Sequence, residues 1–175
     1  MSERLFFALV PGEAECKAIR AALKQAGDLG GRPMPHSNWH LTLRFLGDVE
    51  AGQRACLERL AARVRVAPFA FTLDRLGSWS GPRVAWLAPS ESPTGLTALA
   101  AACEAVALAC GLTADERPYR PHVTVARKAP PREASELPKA IPWEATTFAL
   151  MASRREASGA VYREVARWPL GAFPA

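Results

Sequence analysis

Two of the three histidines in this 175-residue chain fall in one short pattern, HLTLRFLG from His40 to Gly47 and HVTVAR from His122 to Arg127. In an extended strand successive side chains face opposite ways. His40, Thr42 and Arg44 are therefore expected on one face, with Leu41, Leu43 and Phe45 on the other. The second copy repeats this with His122 and Thr124 on the polar side and Val123 and Val125 on the buried side. There Ala126 takes the third polar position, and strict alternation would send Arg127 into the core. An unpaired arginine is costly to bury, so the strand is expected to end or bulge near residue 126 and release Arg127 toward the site.

An imidazole with an unperturbed pKa of about 6.5 works as acid or base near neutral pH. Two of them across a cleft, one neutral and one protonated, suffice to take a proton from an attacking oxygen and return one to a leaving oxygen. The threonine hydroxyls, two residues beyond each histidine, are placed to donate to the non-bridging oxygens of a phosphate. This set fits phosphodiester cleavage without a metal. One His-x-Thr in a half-exposed strand usually carries no function, but two in equivalent positions, using two of three histidines, call for an explanation.

A zinc reading would use His36 and His40, four residues apart, with His122 or a cysteine. Pro33, Pro35 and the Ser37-Asn38 pair make a helix across 36–40 improbable, and no H-E-x-x-H pattern follows. His36 is expected in an exposed loop. No glycine-rich phosphate loop occurs, since Gly30-Gly31 lacks the G-K-[ST] ending. Aromatic residues near the motifs could stack on a nucleobase, the candidates being Phe6 or Phe7, Trp39 and Tyr119.

These motifs need strands to hold them and helices to cover the strands. RLFFALV (4–10) reads as a strand and residues 11–27 as a helix opening after Pro11-Gly12 and closing at Gly27. The first motif strand is followed by a helix over 49–66, with Leu57, Leu60, Ala61 and Val64 on one side. Residues 69–77 and 83–89 form a hairpin around Ser80-Gly81-Pro82, and a third helix runs from Thr94 to Cys110. The second motif strand comes next, the proline-broken segment 130–144 is expected to be a surface loop, and strands at 146–154 and 160–170 close the chain. The succession of helix, arginine- and proline-bearing loop, and His-x-Thr strand occurs twice.

The chain carries 18 Arg and 4 Lys, for a formal charge of +5, and guanidinium groups suit bidentate contact with phosphate. No apolar run approaches the roughly 20 residues of a membrane span. A cytoplasmic protein is expected. Cys16, Cys56, Cys103 and Cys110 lie in helical segments without C-x-x-C spacing and are expected to be buried free thiols.

With these stretches assembled, the chain resembles the two-histidine phosphoesterases, and within them the RNA 2′,3′-cyclic phosphodiesterases, also called 2′-5′ RNA ligases. The resemblance rests on RLFFALV, NWHLTLRFLGDV, LDRLGSWSGPRVAWL, RPYRPHVTVAR and FALMASR, in order across essentially the whole chain. It implies one two-lobed α+β domain over 1–175, with two antiparallel sheets, flanked by helices, facing a central cleft with pseudo-twofold symmetry. It implies opening of 2′,3′-cyclic phosphates on RNA ends, tRNA halves or cyclic nucleotides to leave a 2′-phosphate, in some members with 2′-5′ joining, without metal or other cofactor. By motif position, His40 and His122 are the implied catalytic pair, His122 deprotonating water and His40 protonating O3′. Thr42, Thr124 and Arg127 are the implied phosphate ligands and Phe7 a nucleobase contact, with Arg44 a lesser candidate for the cleft wall. A monomer is expected. The competing readings are a module that binds RNA ends without turnover and a zinc hydrolase.

Overall fold

The computed structural model describes residues 1–171. In chain order the elements are β1 (Glu3–Leu9), α1 (Glu13–Ala26), β2 (Arg32–Pro33), a 3₁₀ turn (His36–Asn38), β3 (Leu41–Val49), α2 (Ala51–Ala61), β4 (Phe69–Trp79) and β5 (Val84–Ala88). Then follow α3 (Thr94–Ala109), β6 (Val123–Arg127), β7 (Ser135–Ala145), β8 (Thr147–Glu156) and β9 (Gly159–Pro169). Gly27 ends α1 at φ 77°, a conformation that glycine adopts without Cβ strain. A reciprocal capping box between Glu50 and Gln53 starts α2. That helix stops at Ala61, short of the expected 66, where β-branched Val64 and Val66 and then Pro68 disfavour its continuation.

The sheet order is β7-β4-β5-β6-β3-β1-β8-β9, with β2 added on β6, and every pairing is antiparallel. It divides into two four-stranded halves of matching order. β5 corresponds to β1, β6 to β3, β4 to β8 and β7 to β9. The expectation of two sheets is thus met as two halves, which join edge to edge through the single registered pair Leu41–Val123. That pair follows His40 in one strand and His122 in the other, so the seam of the sheet is also where the two motifs meet. The helices cross between halves, α1 packing on β7 and α3 on β3. One apolar core, including Leu5, Phe7, Leu41, Leu87, Leu99, Val123 and Ile141, accordingly runs through both.

Two expectations need correction. Of the segment 130–144, expected as loop, residues 135–144 belong to β7. Pro138 and Pro142 are tolerated because β7 is an edge strand bonded only to β4, so a missing N–H on its outer side costs no ladder bond. Leu137, Ile141 and Trp143 point inward. The second correction concerns the cysteines. Cys103 is free and buried, and Cys16 is free and half-buried, but Cys56 of α2 and Cys110 at the end of α3 form a disulfide with Cα atoms 5.7 Å apart. Sequence spacing gave no sign of it because the pairing arises from packing α2 on α3 across 54 residues. Closing a loop of that length stabilises a fold by about 2–4 kcal/mol, so dithiothreitol or Cys56→Ser should lower the denaturation midpoint correspondingly. Chemical denaturation with and without reductant measures this.

Candidate active site

The two histidines are held in the same way. His40 Nδ1 lies 2.8 Å from the Asn38 carbonyl oxygen, and His122 Nδ1 lies 2.7 Å from the Arg120 carbonyl oxygen. A carbonyl oxygen only accepts, so in each ring Nδ1 carries the hydrogen, and Nε2 is left with its lone pair for the cleft. Asn38 fixes the first ring from a buried position, its side-chain amide donating to the Ala160 carbonyl at 2.8 Å and so tying the approach to β3 to the β8–β9 hairpin. Sequence reasoning passed over this asparagine. Asn38→Ala should lower kcat about tenfold or more with a smaller change in KM, because a misplaced imidazole loses rate before it loses binding. Steady-state kinetics on a cyclic nucleotide would separate the two.

Both histidines open on one cavity of about 430 Å³, with Thr42, Thr124 and Arg127 on its walls. What brings Arg127 there is a bulge. Ala126 pairs with Ala85 and Thr124 with Trp86, leaving Val125 as the extra residue. Val125 and Ala126 are both buried, and Arg127 regains the cleft face. The bulge expected near 126 is therefore at 125.

The first motif contains the same device. Across β1, Arg44 pairs with Phe7 and Thr42 with Ala8, leaving Leu43 as the extra residue, at the same distance from its histidine as Val125. Alternation is thereby reversed beyond Leu43, which overturns two expectations. Phe45 lines the cleft, while Arg44 is buried away from the histidine cavity. The Arg44 guanidinium donates to Glu104 of α3 and to the carbonyls of Phe45 and Thr113. Arg44 thus anchors the loop that leads to His122. Tyr119 of that loop donates its hydroxyl back to the Thr42 carbonyl at 2.9 Å.

Phe7 is a third correction. It is fully buried, packed on Phe148 and Trp168, and cannot reach a nucleobase. Its neighbour Phe6 is on the other face of β1, with its ring centroid 4.7 Å from that of His40, and Tyr162 of β9 sits edge-on to His40 at 5.0 Å. On the other side Trp79 of β4 stands edge-on to His122 at 4.6 Å. Trp39 is buried, and exposed His36 rests against it outside the cavity. Cations missed in the sequence also line the cavity, namely Arg4, whose guanidinium lies 4.9 Å over the Phe45 ring, and Arg154 and Arg155 of β8. Because Phe45 occupies the place equivalent to Arg127, Arg4 supplies positive charge to the half that lacks it.

Burial pushes the His40 pKa down to about 4, aided by the charges of His122 and Arg127 and opposed by the Asn38 carbonyl. Burial lowers the His122 pKa as well, opposed by the Arg120 carbonyl. Both rings are therefore neutral at pH 7 in the empty cleft, and a bound anion is needed to hold a proton on one of them. The arrangement can accept a proton at one Nε2, donate one at the other and surround a phosphate with hydroxyl and guanidinium donors. Among the described residues no three His, Cys, Asp or Glu side chains are grouped as metal ligands.

The chain is similar to known proteins over nearly its whole length. The chain is 37% identical over 172 residues to the RNA 2′,3′-cyclic phosphodiesterase of Escherichia coli K12, covering 96% of this chain and 97% of that one. It is 31% identical to the protein of the same name from Thermus thermophilus, covering 95% and 90%. The crystal structure of E. coli LigT in apo form superposes with a TM-score of 0.90 at 33% identity, covering 98% and 99%, and that of LigT complexed with 3′-AMP with 0.86 at 35%, covering 97% and 99%. With residues 11–157 matching the family as a whole, the chain belongs to the 2′-5′ RNA ligase superfamily.

Proposed function

We propose that this protein is an RNA 2′,3′-cyclic phosphodiesterase that opens the cyclic phosphate at an RNA end to leave a 2′-phosphomonoester. The observation that carries the proposal is the pair of imidazoles facing one cavity, each with Nδ1 tied to the carbonyl two residues before it and Nε2 free. Relatives named for this activity, and a related structure complexed with 3′-AMP, support the substrate class. The phosphate lies between Thr42, Thr124 and Arg127. The terminal ribose and base lie toward Phe6 and Tyr162, beside His40. His122 Nε2 takes a proton from water as the oxygen attacks phosphorus, and His40 Nε2 gives a proton to O3′ as that bond breaks. His40 takes that proton from solvent as the substrate binds, because the phosphate anion offsets the burial that keeps the ring neutral in the free protein.

The pH dependence tests this directly. Productive encounter needs one protonated and one neutral ring, and both free-state pKa values are lowered. As pH rises through those values the protonated ring is lost. The kcat/KM profile should therefore be bell-shaped with its maximum below about pH 6.5, the unperturbed imidazole value. The alkaline limb of kcat should lie higher, because the bound anion stabilises the imidazolium. EDTA should leave the rate unchanged. A chelator-sensitive rate, or one rising steadily to pH 9, would exclude the mechanism.

A further inference from the structure

Each motif strand also carries the segment that leads to the other motif. The segment before His40 lies on β6: Arg32 and Pro33 form β2 in register with Arg127 and Ala126, and the Met34 N–H donates to the Val125 carbonyl at 2.9 Å. Backbone bonds therefore seat the approach to the first histidine on the strand of the second. The segment before His122 meets β3 without forming a strand. Pro118 and Pro121 have no N–H to offer a ladder, so side chains make the connection instead. Arg44 bonds the Thr113 carbonyl at the start of the segment, and the Tyr119 hydroxyl donates to the Thr42 carbonyl at 2.9 Å close to His122.

Tyr119 is the anchor nearer the site. Among the described residues the other hydrogen bonds of 116–121 stay local, Arg117 bonding Asp115 and the Arg120 carbonyl meeting His122 Nδ1. The acceptor sits at the β3 bulge, where Leu43 follows Thr42 and the ladder to β1 is interrupted. Since β3 and β6 share only the pair Leu41–Val123, the Tyr119–Thr42 bond is a second tie between the half that carries Thr42 and the half that carries His122. The Tyr119 ring lines a neighbouring cavity of about 660 Å³ and not the histidine cavity, so the hydroxyl works at a distance from the phosphate. Burial holds the phenol above its ordinary pKa, and it stays a donor wherever the imidazoles titrate.

We infer that Tyr119 is a positioning residue, whose hydroxyl fixes His122 against Thr42 across the seam so that the imidazole faces the phosphorus of a bound phosphate. This rests on the phosphodiesterase reading and adds to it the device that sets the spacing of the two halves. Asn38 fixes His40 within its own half, whereas Tyr119 acts between halves. Without the hydroxyl the loop keeps its Arg44 anchor and the phosphate keeps Thr42, Thr124 and Arg127. The Arg120 carbonyl and the ring that it orients are then free to shift, and a displacement of about 1 Å can cost as much as 10²-fold in rate.

The test is single-turnover kinetics on an RNA ending in a 2′,3′-cyclic phosphate, with protein concentration varied to separate the maximal rate from the half-saturating concentration. Tyr119→Phe, which keeps the ring, should lower the maximal rate about tenfold and leave half-saturation within about twofold. Introduced into His122→Ala, the same substitution should change the residual rate by less than about twofold, because the ring that it positions is gone. Circular dichroism and urea denaturation report that each variant is folded. An unchanged rate in Tyr119→Phe, a loss expressed only as weaker binding, or an equal fractional loss in both backgrounds would each overturn the positioning role alone. The last of these is what a general loosening of the fold would give. Absence of turnover in the unmodified protein would overturn the phosphodiesterase reading, and the positioning role with it.

Discussion

His122→Ala and His40→Ala should each reduce the single-turnover rate on a 2′,3′-cyclic phosphate RNA end by about 10²–10⁴-fold, the range for removal of a positioned acid or base. The double variant should be scarcely slower than the worse single one, because half of an acid–base pair has little to contribute without the other. Stability should change little. Both rings stand at a cavity wall and are only half-buried, and alanine leaves no buried charge or enclosed void behind. Circular dichroism alongside quenched-flow kinetics distinguishes loss of chemistry from loss of fold. A single variant keeping more than a tenth of the rate would remove that histidine from the proton-transfer scheme.

Arg44→Ala should behave in the opposite sense, as a failure of the scaffold. The guanidinium is buried and holds Glu104, the Phe45 carbonyl and the Thr113 carbonyl together. Its removal leaves a partly buried carboxylate and two carbonyls without their donor, and breaking such a pair destabilises by about 3 kcal/mol. The loop from Thr113 to Arg120 presents the carbonyl that orients His122, so activity should fall as well. Urea denaturation and kcat should both respond. The variant Arg44→Ala/Glu104→Ala should recover part of the stability by removing the orphaned charge. No recovery would mean that the carbonyl bonds, rather than the ion pair, hold the loop.

Comparing these two arginine- and histidine-bearing strands also indicates what a sequence can disclose. Arg127 could be placed because alternation put a charge in the core, and that conflict demanded a bulge. The equivalent bulge at Leu43 raised no such conflict. Arg44 looked acceptable on a polar face, so the reversal that buries it and exposes Phe45 left no trace in the pattern. Phe6 and Phe7 posed a different difficulty. β1 lies between β3 and β8 and is apolar on both faces, so periodicity alone could not say which phenylalanine meets the cleft.

The remaining parts of the site come from distant segments. Tyr162, Arg4 and Arg155 line the cavity from the half that holds His40 and Trp79 from the half that holds His122, and the seam at Leu41–Val123 joins the two sets in one site. The Cys56–Cys110 bond likewise depends on helix packing. Turn signals, the extents of α1 and α3 and the repeated motif were local and readable. Cross-strand register and the Pro138 and Pro142 edge strand depended on which neighbours each strand acquired.

The central claim is that His40 expels O3′ from a phosphate held between the two threonines. Its most direct test is the identity of the phosphomonoester formed from an RNA ending in a 2′,3′-cyclic phosphate, read by ³¹P NMR or by resistance to a 3′-phosphatase. A 2′-monophosphate is the predicted product. A 3′-monophosphate would mean that O2′ leaves instead and would reverse the placement of the ribose, and no product at all would contradict the account entirely.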